Sequence, residues 1–300
     1  MAESARGGTA ALGDREARPG HGVGWMVMGT ALIVSMDTVA KSLMVDYSVV
    51  QVVWARYVSH LLFMLAVYYR QAGALFRTNR IRLQVSRSGL MILATLGFFT
   101  AISLIPLATA SSIMFLTPIF VTALSMPILA ERVGVRRWIG VLVGFAGAIA
   151  ITRPGTASWD PAMAFALAAA LFYALYQIAT RALSSTDSPT TTLAYTALVG
   201  VAVTTALVPW HWQTPTMADA GLMLIVGLLG AAAHYAIIRA FAEAPAVVIT
   251  PLGYTSLVWA TVFGFVFFGE IPDIMTYVGA VTILMSGLYI FHRERRSRLT

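Results

Sequence analysis

The stretches "LAERVGVRRWIG" (Leu129–Gly140) and "FGEIPDIMTYVG" (Phe268–Gly279) decide the fold. Aligned, they put Glu131 over Glu270 and Gly140 over Gly279, both 139 residues apart. Just upstream, "LIPLATA" (Leu104–Ala110) meets "EAPAVVI" (Glu243–Ile249) at the same offset, with Pro106 over Pro245. Nearer the start, "DTVAK" meets "QIATR" at an offset of 140, which matches Asp37 to Gln177 and Lys41 to Arg181. The chain is therefore one unit written twice.

Composition says what that unit is made of. Of the 300 residues, 58% are hydrophobic and 11% are charged, against about 25% charged in an average soluble domain. A soluble fold of this size needs a more polar surface, so the pattern reads as an integral membrane protein. A helix crossing the hydrocarbon core needs about 20 mostly apolar residues. Ten segments qualify: 23–44, 50–69, 87–105, 107–129, 136–152, 161–181, 190–209, 219–240, 245–268 and 274–291. The expected fold is all-α, with ten transmembrane helices as two five-helix repeats. Five is odd, so the second repeat enters the membrane inverted, the architecture of secondary transporters with a midplane site. The expected organisation is a disordered tail at 1–22, repeats at 23–152 and 161–291, and a basic tail at 292–300. The polar start reads as a cytoplasmic tail rather than a signal peptide, because the apolar run after it is long enough to stay in the membrane.

Charge sets an expected orientation. Placing the N-terminus in the cytoplasm puts seventeen of the twenty Lys and Arg residues in cytoplasmic segments. Only Arg153 falls outside, and Lys41 and Arg56 lie within helices. By the positive-inside rule both termini are cytoplasmic, as in a multi-pass protein of a bacterial inner membrane. The same distribution explains the net charge of +7 without nucleic acid. There is no cysteine, which removes disulfides, thiolate metal sites and a cysteine nucleophile. The five histidines lack ligand-like spacing, so no metal is expected. No phosphate loop, catalytic triad or cofactor fingerprint is present, so no cofactor is expected either.

The ionisable residues inside the apolar segments are the candidate site. A charge at the membrane centre costs roughly 3 kcal/mol on insertion scales. Asp37 therefore calls for a cationic partner, either Lys41 one turn away or Arg56 on the second helix, where His60 lies one turn deeper. The pair is either a structural tie or an outer gate or binding site. On the sixth helix Tyr173, Tyr176, Gln177 and Thr180 share one polar–aromatic face, read as cavity lining. His234 on the eighth helix belongs to the residue type whose unperturbed pKa lies near neutral, and it is a candidate for proton coupling. Tyr254 carries a hydroxyl at membrane depth beside Pro251 and Gly253, which break a regular helix. Such breaks survive only against protein, water or substrate; the same applies to Thr117 and Pro118. Glu131 and Glu270 read as anchors of short turns.

The two helix ends "LAERVG" and "FFGEIP", with the proline-led "PLATASSIMFLTPIF" and "PAVVITPLGYTSLVWA", resemble the drug/metabolite transporter superfamily in its EamA branch. The resemblance covers nearly the whole chain after residue 22. It implies a ten-helix carrier of small organic molecules, with helices three, four, eight and nine central and one and six contributing a polar face. "MDTVAK" and "WARY" resemble a bacterial subgroup whose members are assigned amino acids, S-adenosylmethionine, riboflavin or other metabolites. The expectation is a secondary transporter, not an enzyme, for an amino acid or related amphipathic compound. Its partners would be that substrate, the bilayer and possible coupling protons, with the chain working as a monomer or homodimer. The alternative is a membrane-embedded lipid-modifying enzyme, which would need ionisable residues clustered at one interface; here they are scattered. A channel lacks its charge rings.

Overall fold

The computed structural model describes residues 19–129, 135–153, 155–156, 159–183, 186–243 and 249–297. Glu131, Pro245 and most of the expected N-terminal tail lie outside them. The described residues form helices without strands. They are α1 (Pro19–Leu43), α2 (Val49–Val67), α3 (Ile81–Leu104), α4 (Leu107–Met114 continued as Thr117–Leu129), α5 (Val135–Thr152), α6 (Met163–Leu183), α7 (Pro189–Leu207), α8 (Met217–Glu243), α9 (a 3-10 turn Thr250–Tyr254 continued as Thr255–Phe268) and α10 (Ile274–Ser297). Seven are long and apolar enough to cross a membrane, and 138–152, 252–268 and 274–289 are shorter apolar helices. The chain is an all-α integral membrane protein.

Several ends differ from the apolar segments. α3 starts at Ile81, six residues before the expected 87. α10 runs on to Ser297, past the expected 291. Hydropathy marks the stretch that touches lipid, whereas Arg, Gln and Glu are good helix formers and carry a helix beyond it.

The duplication is visible contact by contact. Ser48 caps α2 by accepting from the Gln51 N–H. Ser188, 140 residues on, caps α7 by accepting from the Thr191 N–H. α1 packs on α8, and α6 packs on α3, so the first helix of each repeat lies on the third helix of the other. Gly29 on α1 sits against Ala236 on α8, where an added Cβ would come 3.4 Å from the alanine methyl; Gly97 on α3 sits likewise against Ala169 on α6, at 3.3 Å. Shifting Gly29 by 140 gives 169, and shifting Gly97 by 139 gives 236, so each contact is the image of the other. α5 and α10 repeat the pattern. Gly147 meets Gly279 backbone to backbone, and its image is the hydrogen bond that Ser286 donates to the Gly140 carbonyl.

The interruptions of α4 and α9 also coincide. α4 breaks at Phe115–Leu116 and α9 begins as a 3-10 turn ending at Tyr254. Phe115 and Tyr254 are 139 apart in sequence and meet edge to face, with ring centroids 5.0 Å apart. The two breaks therefore face each other across the interface between the repeats.

Candidate functional site

A cavity of about 420 Å³ lies at that interface. Its walls come from α1 to α4 of the first repeat and from α6, α8 and α9 of the second. α5, α7 and α10 stay outside it. On α1 the lining runs Met26, Thr30, Ile33, Val34, Asp37, spacings of three and four that trace one helix face. At 1.5 Å per residue this face extends about 16 Å along the membrane axis.

The wall is mostly apolar and adaptable. Met26, Met36, Met91 and Met114 line it with Phe98, Phe99, Phe115 and Pro118. Thioether side chains fit irregular shapes. Into this wall are set Asp37, Arg56, Thr95, Ser111, Thr117, Tyr173, Gln177, His234, Tyr254 and Ser256. The site thus gathers one carboxylate, one guanidinium, one imidazole, amide and hydroxyl groups, and aromatic faces.

Six of the eight candidates read from sequence line this cavity: Asp37, Arg56, Tyr173, Gln177, His234 and Tyr254. Lys41 and Tyr176 do not. The expected ion pair of Asp37 is also different. Lys41 Nζ lies 2.5 Å from Glu270 Oε1 and 2.9 Å from the Ile105 carbonyl. It sits in the last turn of α1, where the carboxylate of the α9–α10 connection is nearer than a side chain one turn back. Arg56 shares the cavity with Asp37, but its guanidinium donates to Thr95 Oγ1 at 3.3 Å and lies 5.5 Å from the Phe99 ring. Among the described residues, the ion pairs are Lys41–Glu270, Arg153–Asp273 and Arg239–Glu243, none including Asp37. Asp37 is buried and faces the cavity.

Tyr176 is held from behind. Arg87, 1% exposed, donates to the Tyr176 hydroxyl at 2.6 Å, to Thr180 Oγ1 at 2.6 Å, and to the Thr192 carbonyl and Thr196 Oγ1 at 3.0 and 2.9 Å. Its guanidinium lies 4.3 Å from the Tyr176 ring. Tyr176 stacks on Tyr173, centroids 5.5 Å apart and planes 12° apart. The expected polar–aromatic face of α6 is therefore split: Tyr173 and Gln177 meet the cavity, while Tyr176 and Thr180 are fixed to Arg87. Sequence reading placed Arg87 in a cytoplasmic connection, because the apolar run starts there. The signal that finds it is the spacing Gln84, Arg87, Met91, Thr95, which is one face of α3.

His234 donates through Nδ1 to the Gly230 carbonyl at 2.7 Å, since a carbonyl only accepts. Nε2 is then the free acceptor of the neutral ring. His60 lies behind it, with ring centroids 6.3 Å apart. Gly227 lets α8 approach α2, since a Cβ there would come 3.1 Å from the Arg56 carbonyl, and Gly230 makes room for Met36 of α1.

Glu270 reaches beyond its own turn. Besides Lys41 it accepts from the Leu107 N–H at 2.9 Å, the first residue of α4, and so satisfies an orphan donor of that helix. Gly269, at φ +66°, ends α9 in the left-handed conformation that frees the chain to turn back. The same face of the bundle carries a paired amide clamp, in which Gln51 donates to the Gln213 carbonyl at 2.7 Å and accepts from its N–H at 2.9 Å.

The EamA-like transporter family model matches residues 20–153 and again 160–291. An S-adenosylmethionine uptake transporter of Rickettsia bellii is 27% identical over 92% of this chain and 95% of its own. A riboflavin transporter of Vibrio cholerae is 32% identical over 64% of this chain and 65% of its own, and a pseudopaline exporter of Pseudomonas aeruginosa is 28% identical over 72% and 77%. A solved crystal structure superposes with TM-score 0.61 over 91% of this chain and 98% of its own, at 17% identity, which speaks to the fold alone. With a matching model on each of its two repeats, a cavity between them and relatives that carry small metabolites, the chain is a transporter and not an enzyme, and it belongs to the EamA-like transporter family.

Proposed function

We propose that this transporter moves an amphipathic metabolite bearing an amino-acid or related group, by alternating exposure of the cavity between its repeats. The observation that carries the reading is Asp37, a buried carboxylate on the wall of a mostly apolar cavity that it shares with Arg56 and His234. Leaving such a group without an ion-pair partner is expensive, and an ammonium or other cationic substrate group offsets that cost. Tyr173, backed by its stack on Tyr176, supplies a face for a flat or apolar moiety. The four relatives named as S-adenosylmethionine uptake transporters align over 94–95% of their lengths. That compound joins an amino-acid head, a sulfonium cation and a purine, which suits such a cavity.

The proposal includes orientation, with both termini and the basic connections on the cytoplasmic side. It also includes proton coupling through Asp37 and His234, the carboxylate and the imidazole on the cavity wall.

The test is thermal stability of the purified protein in detergent, against amino acids, S-adenosylmethionine, riboflavin, polyamines and quaternary amines. A ligand at 100 times its Kd stabilises by about 2.7 kcal/mol. Stabilisation by a cationic amino compound that disappears in Asp37→Asn supports the reading. Stabilisation retained in Asp37→Asn removes Asp37 from the site, and a blank panel overturns the substrate class. Uptake into proteoliposomes with and without an imposed pH gradient decides the coupling.

A further inference from the structure

We infer that Arg56 is the carboxylate subsite of the cavity. The Nε–Nη2 edge of its guanidinium receives the carboxylate of the substrate while Asp37 receives the ammonium, so the carrier reads a zwitterion at both poles. The inference deepens the transport reading above and rests on it.

Arg56 is half-buried on the cavity wall. Its own chain uses one corner of the guanidinium. Nη1 donates to Thr95 Oγ1 at 3.3 Å, and Thr95 is joined in turn to the Tyr57 hydroxyl at 3.1 Å. Nε and Nη2 have no partner among the described residues, and both keep accessible surface. These two nitrogens form one edge of the planar group. It is an edge that can grip a carboxylate through two parallel hydrogen bonds.

The packing holds the group and leaves that edge uncovered. The guanidinium carbon lies 5.7 Å from the Tyr57 ring centroid and 5.5 Å from that of Phe99, so α2 and α3 brace it together with Thr95. On the α8 side stands Gly230, where even an added Cβ would stay 3.9 Å from Nε. No side chain from that position covers the nitrogen.

Two other cations set into the bundle show the contrast. Arg87 donates through Nε to Thr180, through Nη1 to Thr192 and Thr196, and through Nη2 to Tyr176. Lys41 holds Glu270 and the Ile105 carbonyl. Each is satisfied by its own chain and serves as a tie. Arg56 sits among apolar and aromatic groups as Arg87 does, yet its two-pronged edge is unused.

Asp37 supplies the opposite pole. Its carboxylate accepts no hydrogen bond among the described residues, and its oxygens keep accessible surface although the residue is buried. It lines the same cavity as Arg56 without forming an ion pair with it. Opposite charges attract strongly where water is scarce, so two that open on one apolar cavity and stay apart mark a gap between them. A zwitterion satisfies both at once. An amine without a carboxylate leaves Arg56 facing like charge, and an acid without an amine leaves Asp37 unmatched. The chemistry therefore selects an amino acid carrying both charges, over a polyamine or a dicarboxylate.

The test uses matched pairs differing only by the carboxylate: arginine and agmatine, tryptophan and tryptamine, S-adenosylmethionine and its decarboxylated form. Thermal shifts are titrated on the purified full chain. The expected result is that the wild-type protein prefers the acid, and that Arg56→Gln weakens the acid about ten- to a hundred-fold without weakening the amine, so the preference is erased. Arg56→Lys keeps the charge but not the fork, so it retains only part of the preference; it also serves as the second variant should the glutamine form be unstable. If Arg56→Gln weakens acid and amine alike, Arg56 braces the cavity and the subsite is overturned. If the preference survives in Arg56→Gln, the carboxylate sits elsewhere and the subsite is again overturned. If the wild-type protein binds amine and acid equally, no carboxylate subsite exists. The transport reading stands in all three cases. If the wild-type protein binds none of these compounds, the substrate class itself falls, and the subsite with it.

Discussion

Lys41 Nζ and Glu270 Oε1 lie 2.5 Å apart, joining the end of α1 to the α9–α10 connection. The lysine also holds the Ile105 carbonyl and the glutamate holds the Leu107 N–H. One ion pair thus ties α1, the α3–α4 connection and the α9–α10 connection. Both side chains are largely buried, at 11% and 18% exposed, so neither is well solvated when its partner is lost. Glu270→Gln is expected to cost about 2 kcal/mol, and Lys41→Met in the same chain to restore part of it. A double-mutant cycle in detergent measures the coupling. Because the chain has no cysteine, Ser111→Cys gives a clean accessibility reporter. Thiol labelling at 111 should quicken in the Glu270→Gln background if this pair restrains opening of its face.

Arg87 is the largest buried cation among the described residues, and its four hydrogen bonds hold α3 to α6 and α7. A lysine supplies one point charge where the guanidinium supplies a planar fork. Arg87→Lys should therefore cost about 3 kcal/mol, close to the loss of a buried polar network. Tyr176→Phe removes one bond and should cost about 1 kcal/mol. Thermal unfolding followed by tryptophan fluorescence distinguishes the two.

Acid stability should report Asp187, in the α6–α7 connection. The Thr78 hydroxyl at 2.5 Å and the Gln84 amide at 2.6 Å donate to its carboxylate, and they hold its pKa below the ordinary 3.8, Thr78 contributing most. The folded value is the lower one, so ionised Asp187 stabilises the protein above the unfolded value. That contribution is lost as pH falls through the folded value. The expected observation is a melting temperature that declines below about pH 4, with a smaller decline in Asp187→Asn, measured from pH 6 to pH 3.

Packing of α5 on α10 should be intolerant of a single methyl group. A Cβ at Gly147 would come 2.8 Å from the Gly279 carbonyl and 3.1 Å from the Ile283 N–H, both backbone atoms. Gly147→Ala should therefore destabilise by about 1–3 kcal/mol. Gly221 on α8 has nothing within 4 Å of the same position. Gly221→Ala should be neutral or stabilising by up to about 1 kcal/mol through helix propensity. Parallel melts of the two variants test the contrast.

Much of this molecule is legible in its sequence, for identifiable reasons. The repeat shows because glycine, proline and glutamate recur at helix ends, where the choice of residue answers to backbone geometry. Asp37, Arg56 and His234 show because charge in an apolar run is costly and visible. What the sequence hides are relations across space. Lys41 looks like the partner of Asp37 because both lie on α1, but Glu270, 229 residues away in sequence, reaches it first. Arg87 looks like a surface charge because hydropathy cannot separate a helix start in lipid from one buried against α6 and α7.

The paired contacts Gly29–Ala236 and Gly97–Ala169 bear on how little energy a transport cycle demands. Exchanging the conformations of the two repeats would re-form each contact as the other, so the packing is conserved through the exchange. The two ends of the cycle then differ in free energy only through positions where the copies have diverged, such as Asp37 against Gln177, Thr117 against Ser256 and Gly147 against Ser286. Near-degeneracy of this kind lets the modest binding energy of a metabolite tip the balance. It also makes the diverged positions the ballast that sets which way the empty carrier rests.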